Sequence, residues 1–418
     1  MAKYRDEDYE YEEERVAPKK KKSSGSGSGS KKSSGKKSSG HSSSGRSSSG
    51  HSSGGKGSGK KSSGKKNSKK AQAKKQRRRI ILFVIEIIIL VIAVFVLYGV
   101  MSGTKSGKLD LDEDDIIINE QVVEAQETTM KGYRNIALFG VDSTTGALTK
   151  NTRSDTVMIA SINQDTGECK LVSVYRDTYL NLSNDSYNKC NAAYAKGGPE
   201  MAISMLNLNL DLNITDFVTV GFAGLTDTVD ALGGINMQIE DVEISHLNNY
   251  QLCIAEDLKR SYTPVKSAGY QLLDGLQATG YCRIRYTKGD DFRRAQRQRD
   301  VLSAIADQAK KASLPQLTET ANAVFDEVYT SLDLTEIVEL LGKVNTYYIS
   351  ETEGFPQESN RVNAKIGSKG DCVIPLSLED NVKWLHQFLF NDSSYEPSAD
   401  VKRCSEDIYK ETNGYIKK

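Results

Sequence analysis

Histidine is scarce in this chain: there are four in 418 residues, and only His246 and His386 lie beyond the first 51 positions. Neither has a helical or motif partner, which argues against a His-based nucleophile triad, a His-rich metal site or a zinc hydrolase. Each is read as a surface or structurally satisfied residue. No C-x-x-C spacing occurs, so the cysteines do not suggest zinc. The six (169, 190, 253, 282, 372 and 404) form an even set. They either pair in an oxidising compartment or serve as small core residues. No helix-turn-helix or base-stacking motif accompanies the basic residues, and no nucleic-acid partner is expected.

Apolar side chains are missing from Lys22 to Lys70, which is almost entirely Ser, Gly and Lys. Nothing there offsets chain entropy, so 1–79 is expected to be a disordered, basic cytoplasmic tail. Gly54 to Lys60 has P-loop spacing, but Lys61 stands where Ser or Thr is needed and no strand or helix flanks it. It is low complexity. The near balance of 56 basic and 55 acidic residues hides an asymmetry, because beyond an acidic tip the first ~80 residues are basic and the rest mildly acidic.

What is present begins at Ile80. An apolar run over 80–101 is long enough for one bilayer span. Lys74, Lys75, Arg77, Arg78 and Arg79 precede it, so the N-terminus is expected in the cytoplasm and the remainder outside the cell. A cleaved signal peptide is the alternative, but its apolar core would be shorter and no small-residue cleavage site is evident. Glu86 lies close enough to the basic flank to snorkel or to be protonated. An acidic stem is expected over 102–130, with strong folding signals from Asn135.

Ile136 to Val141 reads as a buried strand, and Thr156–Ile162 with Lys170–Tyr175 as a hairpin around Asp165-Thr166-Gly167. Pro199 opens a helix to about Leu208. Phe217–Phe222, Ile235–Ile239 and Cys282–Tyr286 read as strands. Helices are expected to Leu232 and over Phe292–Ala312, Pro315–Tyr329, Leu334–Val344 and Leu378–Phe390. The tail after Tyr395 looks peripheral. Strands interleaved with helices, one pair in a hairpin, give an α/β fold: a mixed central β-sheet flanked by helices as an α/β/α sandwich.

The chemistry left to such a chain is that of arginine and aspartate, in three clusters. Arg283 and Arg285 are expected on one face of a strand, followed by a helix with Asp291, Arg294, Arg297 and Gln298 close together. Arginines 293, 294, 297 and 299 crowd a helix start, where the macrodipole disfavours cations. A bound phosphate would resolve the conflict, as would pairing with surface carboxylates. Asp291 reads either as the helix N-cap or as a site residue. Asp142 and Asp155, with Arg153 beside the latter, sit at adjacent strand ends and could hold Mg2+, or could be turn residues. Arg176-Asp177 follows a strand end, where ligand sites of α/β folds gather.

These clusters, in this order behind one anchor, resemble the LytR-CpsA-Psr family of wall-polymer ligases over about Asn135 to Lys311. The most specific stretch is Arg283-x-Arg285-Tyr with Asp291-Phe-x-Arg294-x-x-Arg297-Gln298. Gly140-Val-Asp142, Arg153-Ser-Asp155-Thr, Ser173-Val-Tyr-Arg176-Asp177 and Asp230-x-x-Gly233-Gly234 support it. Tyr175 stands where the family often has Pro, and Arg293 at a usual small-residue site.

The resemblance implies a hydrophobic tunnel for a polyprenyl chain and transfer of a phosphorylated glycan from polyprenyl pyrophosphate to a peptidoglycan hydroxyl. It implies Mg2+ on Asp142 and Asp155, and pyrophosphate on Arg153, Arg176, Arg283, Arg285, Arg294, Arg297 and Gln298. Asp177 and Asp291 would orient the arginines or assist proton transfer. The catalytic domain is then expected over 131–345, with a C-terminal extension over 346–418 packing on or trailing it. Membrane lipids, the lipid-linked donor and peptidoglycan are the implied partners. A polyprenyl-pyrophosphate phosphatase would use the same arginines, and a non-catalytic envelope regulator would tolerate loss of Asp142 better than an enzyme.

Overall fold

The computed structural model describes residues 107–108, 111, 115–143, 148–149, 151–285 and 287–416, all within the second of two units of the chain, Arg78–Lys418. The tail at 1–79 and the anchor at 80–101 lie outside the described residues. Among those described, no helix is long and apolar enough to cross a membrane.

The chain enters through a short strand, β1 (Gly107–Lys108), and a helix, α1 (Glu120–Gln126), before β2 (Tyr133–Val141). β3 (Ser154–Asn163) and β4 (Glu168–Val174) form the expected hairpin. Asn163 Oδ1 accepts from the amides of Asp165 and Thr166, and Gly167 adopts φ +76°, which closes the turn. A small hairpin, β5 (Tyr179–Asn181) and β6 (Tyr187–Lys189), leads to α2 (Asn191–Leu210). As expected, Pro199 opens a helical segment, here to Leu210; a kink at Gly198 joins it to an earlier segment, Asn191–Gly197, that carried no local signal.

Next come β7 (Asp216–Val220), α3 (Phe222–Ala231), β8 (Ile235–Ile239), α4 (Asp241–Leu258), β9 (Gly269–Leu273) and α5 (Gly275–Cys282). The strand expected over Cys282–Tyr286 is corrected here. Asp274 accepts from Gln277 N at 2.8 Å and Gln277 returns to Asp274 N at 3.0 Å, and this capping box starts a helix that runs through Cys282. Arg283 is the C-cap of α5, and Ile284 is buried in an irregular segment.

α6 (Asp290–Ala309) has Gly289, not Asp291, at its N-cap. α7 (Leu314–Val324) stops short of Tyr329 because a 3-10 turn over Phe325–Glu327 feeds β10 (Val328–Thr330). α8 (Leu334–Gly342), β11 (Tyr348–Phe355), β12 (Arg361–Lys365), β13 (Asp371–Pro375), α9 (Leu378–Phe390) and α10 (Ala399–Thr412) complete the order.

The central sheet runs β1-β10-β7-β2-β3-β4-β11 and is mixed, with β2 and β7 parallel and β2, β3 and β4 antiparallel neighbours. Gly107 pairs with Tyr329, Tyr329 with Thr219, Thr219 with Phe139 and Phe139 with Val157, one continuous rung across five strands. Of the two expected arrangements of the 346–418 extension, packing is the one observed: β11 pairs in parallel with β4, and α10 buries Val401, Cys404 and Ile408 in the main core. The tail after Tyr395 is therefore integral rather than peripheral. The stem folds as well: Ile116, Val122 and Met130 join that core, and Asn119 donates to Asp211, Leu208 O and Ser398.

The two faces of this sheet differ. Ala137, Phe139, Val157, Ile159, Val172, Val174 and Phe217 are all buried against α2, α9 and α10. On the other face lie α6, through Leu302, and α8, through the ion pair of Arg134 with Glu336. There Ile136, Met158, Ala160 and Leu171 are buried, while Leu138, Gly140, Thr156, Ile162, Val218 and Val220 stay half-buried. A second core of α3, α4, α5, β8 and β9 packs against Val301, Ala304 and Ile305 of α6. Five of the cysteines (169, 190, 282, 372 and 404) are buried thiols, and burial pushes Cys169 and Cys282 up to about 12. They serve as core residues and are not paired.

Candidate active site: arginines and aspartates at the end of the half-covered face

The site forms where β2, β3 and β4 end beneath the N-terminus of α6. The β2–β3 ladder shifts register between Gly140 and Val141: Gly140 pairs with Thr156 and Val141 with Ser154, so Asp155 is the extra residue of a bulge. A bulge re-aims its side chain. Asp155 Oδ1 accepts from Arg176 Nη1 at 2.7 Å, and Oδ2 lies 3.8 Å from Arg285 and 4.0 Å from Arg294. Asp291, one turn before Arg294 on α6, accepts from Arg176 Nε at 3.2 Å and from Arg294 Nη2 at 3.1 Å, with Arg285 at 3.7 Å. Residues from the exit of β4, from α6 and from the 283–289 segment thus meet.

Three guanidinium groups, with Lys189 behind them, face the carboxylates of Asp155, Asp291 and Asp177. Burial alone would raise the Asp155 carboxyl, but Arg176, Arg294 and Arg285 outweigh it and hold it below the usual range. Arg176 is held firmly protonated, since Asp155, Asp291 and Asp177 outweigh its burial. Arg294 has the opposite balance. Burial and the adjacent Arg176 bring it down to about 10, and its Nε has no hydrogen-bond partner. An under-compensated buried arginine favours an additional anion.

The crevice between Asp155, Tyr175, Arg176, Asp291, Arg294 and Gln298 encloses only about 10 Å³. That is roughly the space of one water, so a diphosphate enters only by displacing carboxylates from the guanidinium groups. The crevice adjoins Thr156 and Val157 at the head of the half-covered sheet face.

Not every expected residue is here. Arg297 is corrected: it is buried, pairs with Glu243 of α4 at 2.9 Å, and donates to Ile284 O and Thr287 Oγ1. Arg293 pairs with Glu240, so two of the four crowded arginines are matched by glutamates that sequence distance concealed. Arg283 lies 4.5 Å from the Phe222 ring and 5.3 Å from that of Tyr250, off the expected strand face. It still acts electrostatically on Asp142. Arg153 is exposed and does not line the crevice. Asp177 is shared between Arg176 and Lys189, the latter at 2.9 Å and not foreseen. Gln298 lines the crevice and reaches Cys282 O at 3.5 Å. His386 is buried, bonded to Leu210 O, and brought by burial down to about 4.

Asp142 faces solvent at the end of β2, yet the protein mass around it desolvates its carboxyl. That desolvation, with Asp155 and Asp257 nearby, raises it above the usual range against the pull of Arg283 and Arg285. Its electrostatic neighbour Asp155 keeps Oδ2 beyond direct hydrogen-bond range of any arginine named above. A solvent-facing carboxylate beside a half-satisfied one fits a hard divalent cation that retains several waters.

The profile of the LytR_cpsA_psr family matches residues 95–368. The chain belongs to the LytR_cpsA_psr family. A polyisoprenyl-teichoic acid–peptidoglycan teichoic acid transferase TagU from Oceanobacillus iheyensis is 28% identical over 301 residues, which is 65% of this chain and 87% of that protein. A protein of the same name from Enterococcus faecalis is 30% identical over 234 residues, covering 54% of this chain and 72% of its own. A crystal structure from Enterococcus faecalis, described as a transcriptional regulator, aligns at TM-score 0.53 and 23% identity over 69% of this chain and 98% of that one. The two share a fold.

Proposed function

We propose that this LytR_cpsA_psr protein transfers a phosphorylated glycopolymer from a polyprenyl pyrophosphate carrier to a sugar hydroxyl of peptidoglycan, outside the cell and tethered by the anchor expected at 80–101. The observation that carries this reading is the placement of Arg176, Arg285 and Arg294 at the head of a half-covered apolar sheet face. One end suits a diphosphate and the other a hydrocarbon tail. The names of the two TagU relatives support the same chemistry.

In the reaction the acceptor oxygen forms a bond to the phosphorus that carries the glycan. The bond from that phosphorus to the bridging oxygen breaks, polyprenyl phosphate leaves, and the hydroxyl proton passes to a carboxylate of the cluster. Arg176 and Arg294 offset the charge gathering on the phosphate oxygens, acting as fixed donors in a partly dry site. Asp291 orients both guanidinium groups before substrate arrives and gives way to phosphate. Asp142 and Asp155 would hold Mg2+, which supplies further neutralisation of the diphosphate.

The test is transfer of a labelled glycan from a synthetic polyprenyl pyrophosphate donor to peptidoglycan by the full-length chain. Arg294→Ala is expected to retain its fold and lose at least about a hundredfold in rate, on the order of 2.7 kcal/mol of barrier. Undiminished transfer overturns the reading, and release of the label as soluble glycan phosphate makes the protein a phosphatase.

A further inference from the structure

Resting on that reading, we propose that Glu243 is a positioning residue that fixes Arg285 at the diphosphate through Arg297. Arg294 is held by α6, and Arg176 by the turn leaving β4, where Asn191 N donates to its carbonyl. Arg285 lies outside any helix or strand. It lies in the irregular segment between α5 and α6, where Thr287 N donates to Arg285 O and Asp290 N to Thr287 O.

Arg297 supplies long-range bonds to this segment, donating from Nη1 to Ile284 O at 3.1 Å and from Nη2 to Thr287 Oγ1 at 2.7 Å. These contacts flank Arg285 on both sides. Arg297 can hold them only because its third edge is neutralised: Nε donates to Glu243 Oε1 at 2.9 Å, with side chains 1% and 0% exposed. Glu243 is itself immobilised. Its Oε2 accepts from Glu240 N at 2.9 Å, and its own amide closes the capping box that begins α4. The start of α4 is therefore tied, through two side chains, to the loop that carries one of the site's arginines.

A buried pair of this kind stabilises little beyond what apolar packing would, but removing one partner strands the other in a dry interior. Without its carboxylate, Arg297 gains most by turning toward water, which releases Ile284 O and Thr287. Arg285 then loses its fixed distance to Asp155 and Asp291. Glu243 is fully buried and does not line the crevice, so on this reading it acts by geometry alone.

The experiment is a double-mutant cycle on the full-length chain in nanodiscs, read as the dissociation constant for farnesyl pyrophosphate. Glu243→Gln is expected to weaken binding about tenfold in the native background and to have no effect in an Arg285→Ala background, because residues acting through one another are non-additive. Thr287→Val removes one clamp contact without stranding a charge. It is expected to weaken binding about threefold, again only when Arg285 is present, and it decides the matter if Glu243→Gln fails to fold. Equal losses with and without Arg285 mean that Glu243 is merely structural and overturn the proposal. Loss on Arg294→Ala with none on Arg285→Ala also overturns it and leaves the site standing. If neither arginine matters, the diphosphate site itself is wrong.

Discussion

The two faces of the central sheet use one set of strands for different ends. Phe217 and Val218 are adjacent on β7, and their side chains point to opposite faces. Phe217 is fully buried and meets the Tyr329 ring edge-on at 5.3 Å, in a core that α2, α9 and α10 close completely. Val218, with Leu138 opposite on β2, remains half-buried. α8 adds Ile337, Val338, Leu340 and Leu341, none of them fully buried. A sheet closed on one side and ajar on the other keeps stability apart from binding. The first can be optimised without filling the second.

The sharpest way to break this contrast is to cut both faces and compare. Phe217→Ala is expected to cost about 3–5 kcal/mol of stability in denaturant unfolding, and Val218→Ala under about 1 kcal/mol. Equal costs would mean that both faces are ordinary core. Next in size, Val218→Trp is expected to leave the unfolding midpoint within about 1 kcal/mol of native, since Val218 is not fully buried. The same change should weaken binding of a long polyprenyl pyrophosphate by roughly 30-fold, about 2 kcal/mol, while sparing inorganic pyrophosphate. Weakening of both ligands alike would place the tail elsewhere.

Asp142 gives a smaller effect at the head of the open face. Its raised carboxyl must lose a proton to bind a cation, so Mg2+ affinity should fall as pH drops through a range above that of ordinary carboxylates. Asp142→Asn should weaken Mg2+ binding about tenfold and flatten that pH dependence, as calorimetry can measure. The smallest effect belongs to the closed face. Buried His386 is neutral down to about 4, whereas an unfolded-state histidine takes up its proton near 6.5. Stability should therefore decline as pH falls from about 6.5 to about 4, and His386→Gln should remove that slope.

Much of the frame was legible because its signals are local. Ile136–Val141, the Asp165-Thr166-Gly167 hairpin and the Leu378–Phe390 helix follow from apolar runs and turn residues that need no distant partner. What escaped depended on such partners. Arg294 and Arg297 lie on one helical stripe and are indistinguishable by spacing, yet one borders the crevice and the other is matched by a glutamate on another helix. A signal for that glutamate was present: Glu240-x-x-Glu243 before an apolar-periodic run is the pattern of a capped helix start. Arg283-Ile284-Arg285 imitates a strand because a buried residue between two arginines alternates just as well in a turn. The bulge that turns Asp155 inward leaves no mark in the sequence.

The rung from Gly107 to Val157 limits how far the enzyme can roam. Four strand spacings put the point where the chain joins the sheet roughly 20 Å from the edge that bears Asp155, and at the same end of the strands. If the anchor ends at Met101, residues 102–106 form a leash of at most about 20 Å. On the proposed anchoring, so short a leash would berth the site beside the lipid headgroups, and a wall strand would have to come down to the membrane to receive its polymer.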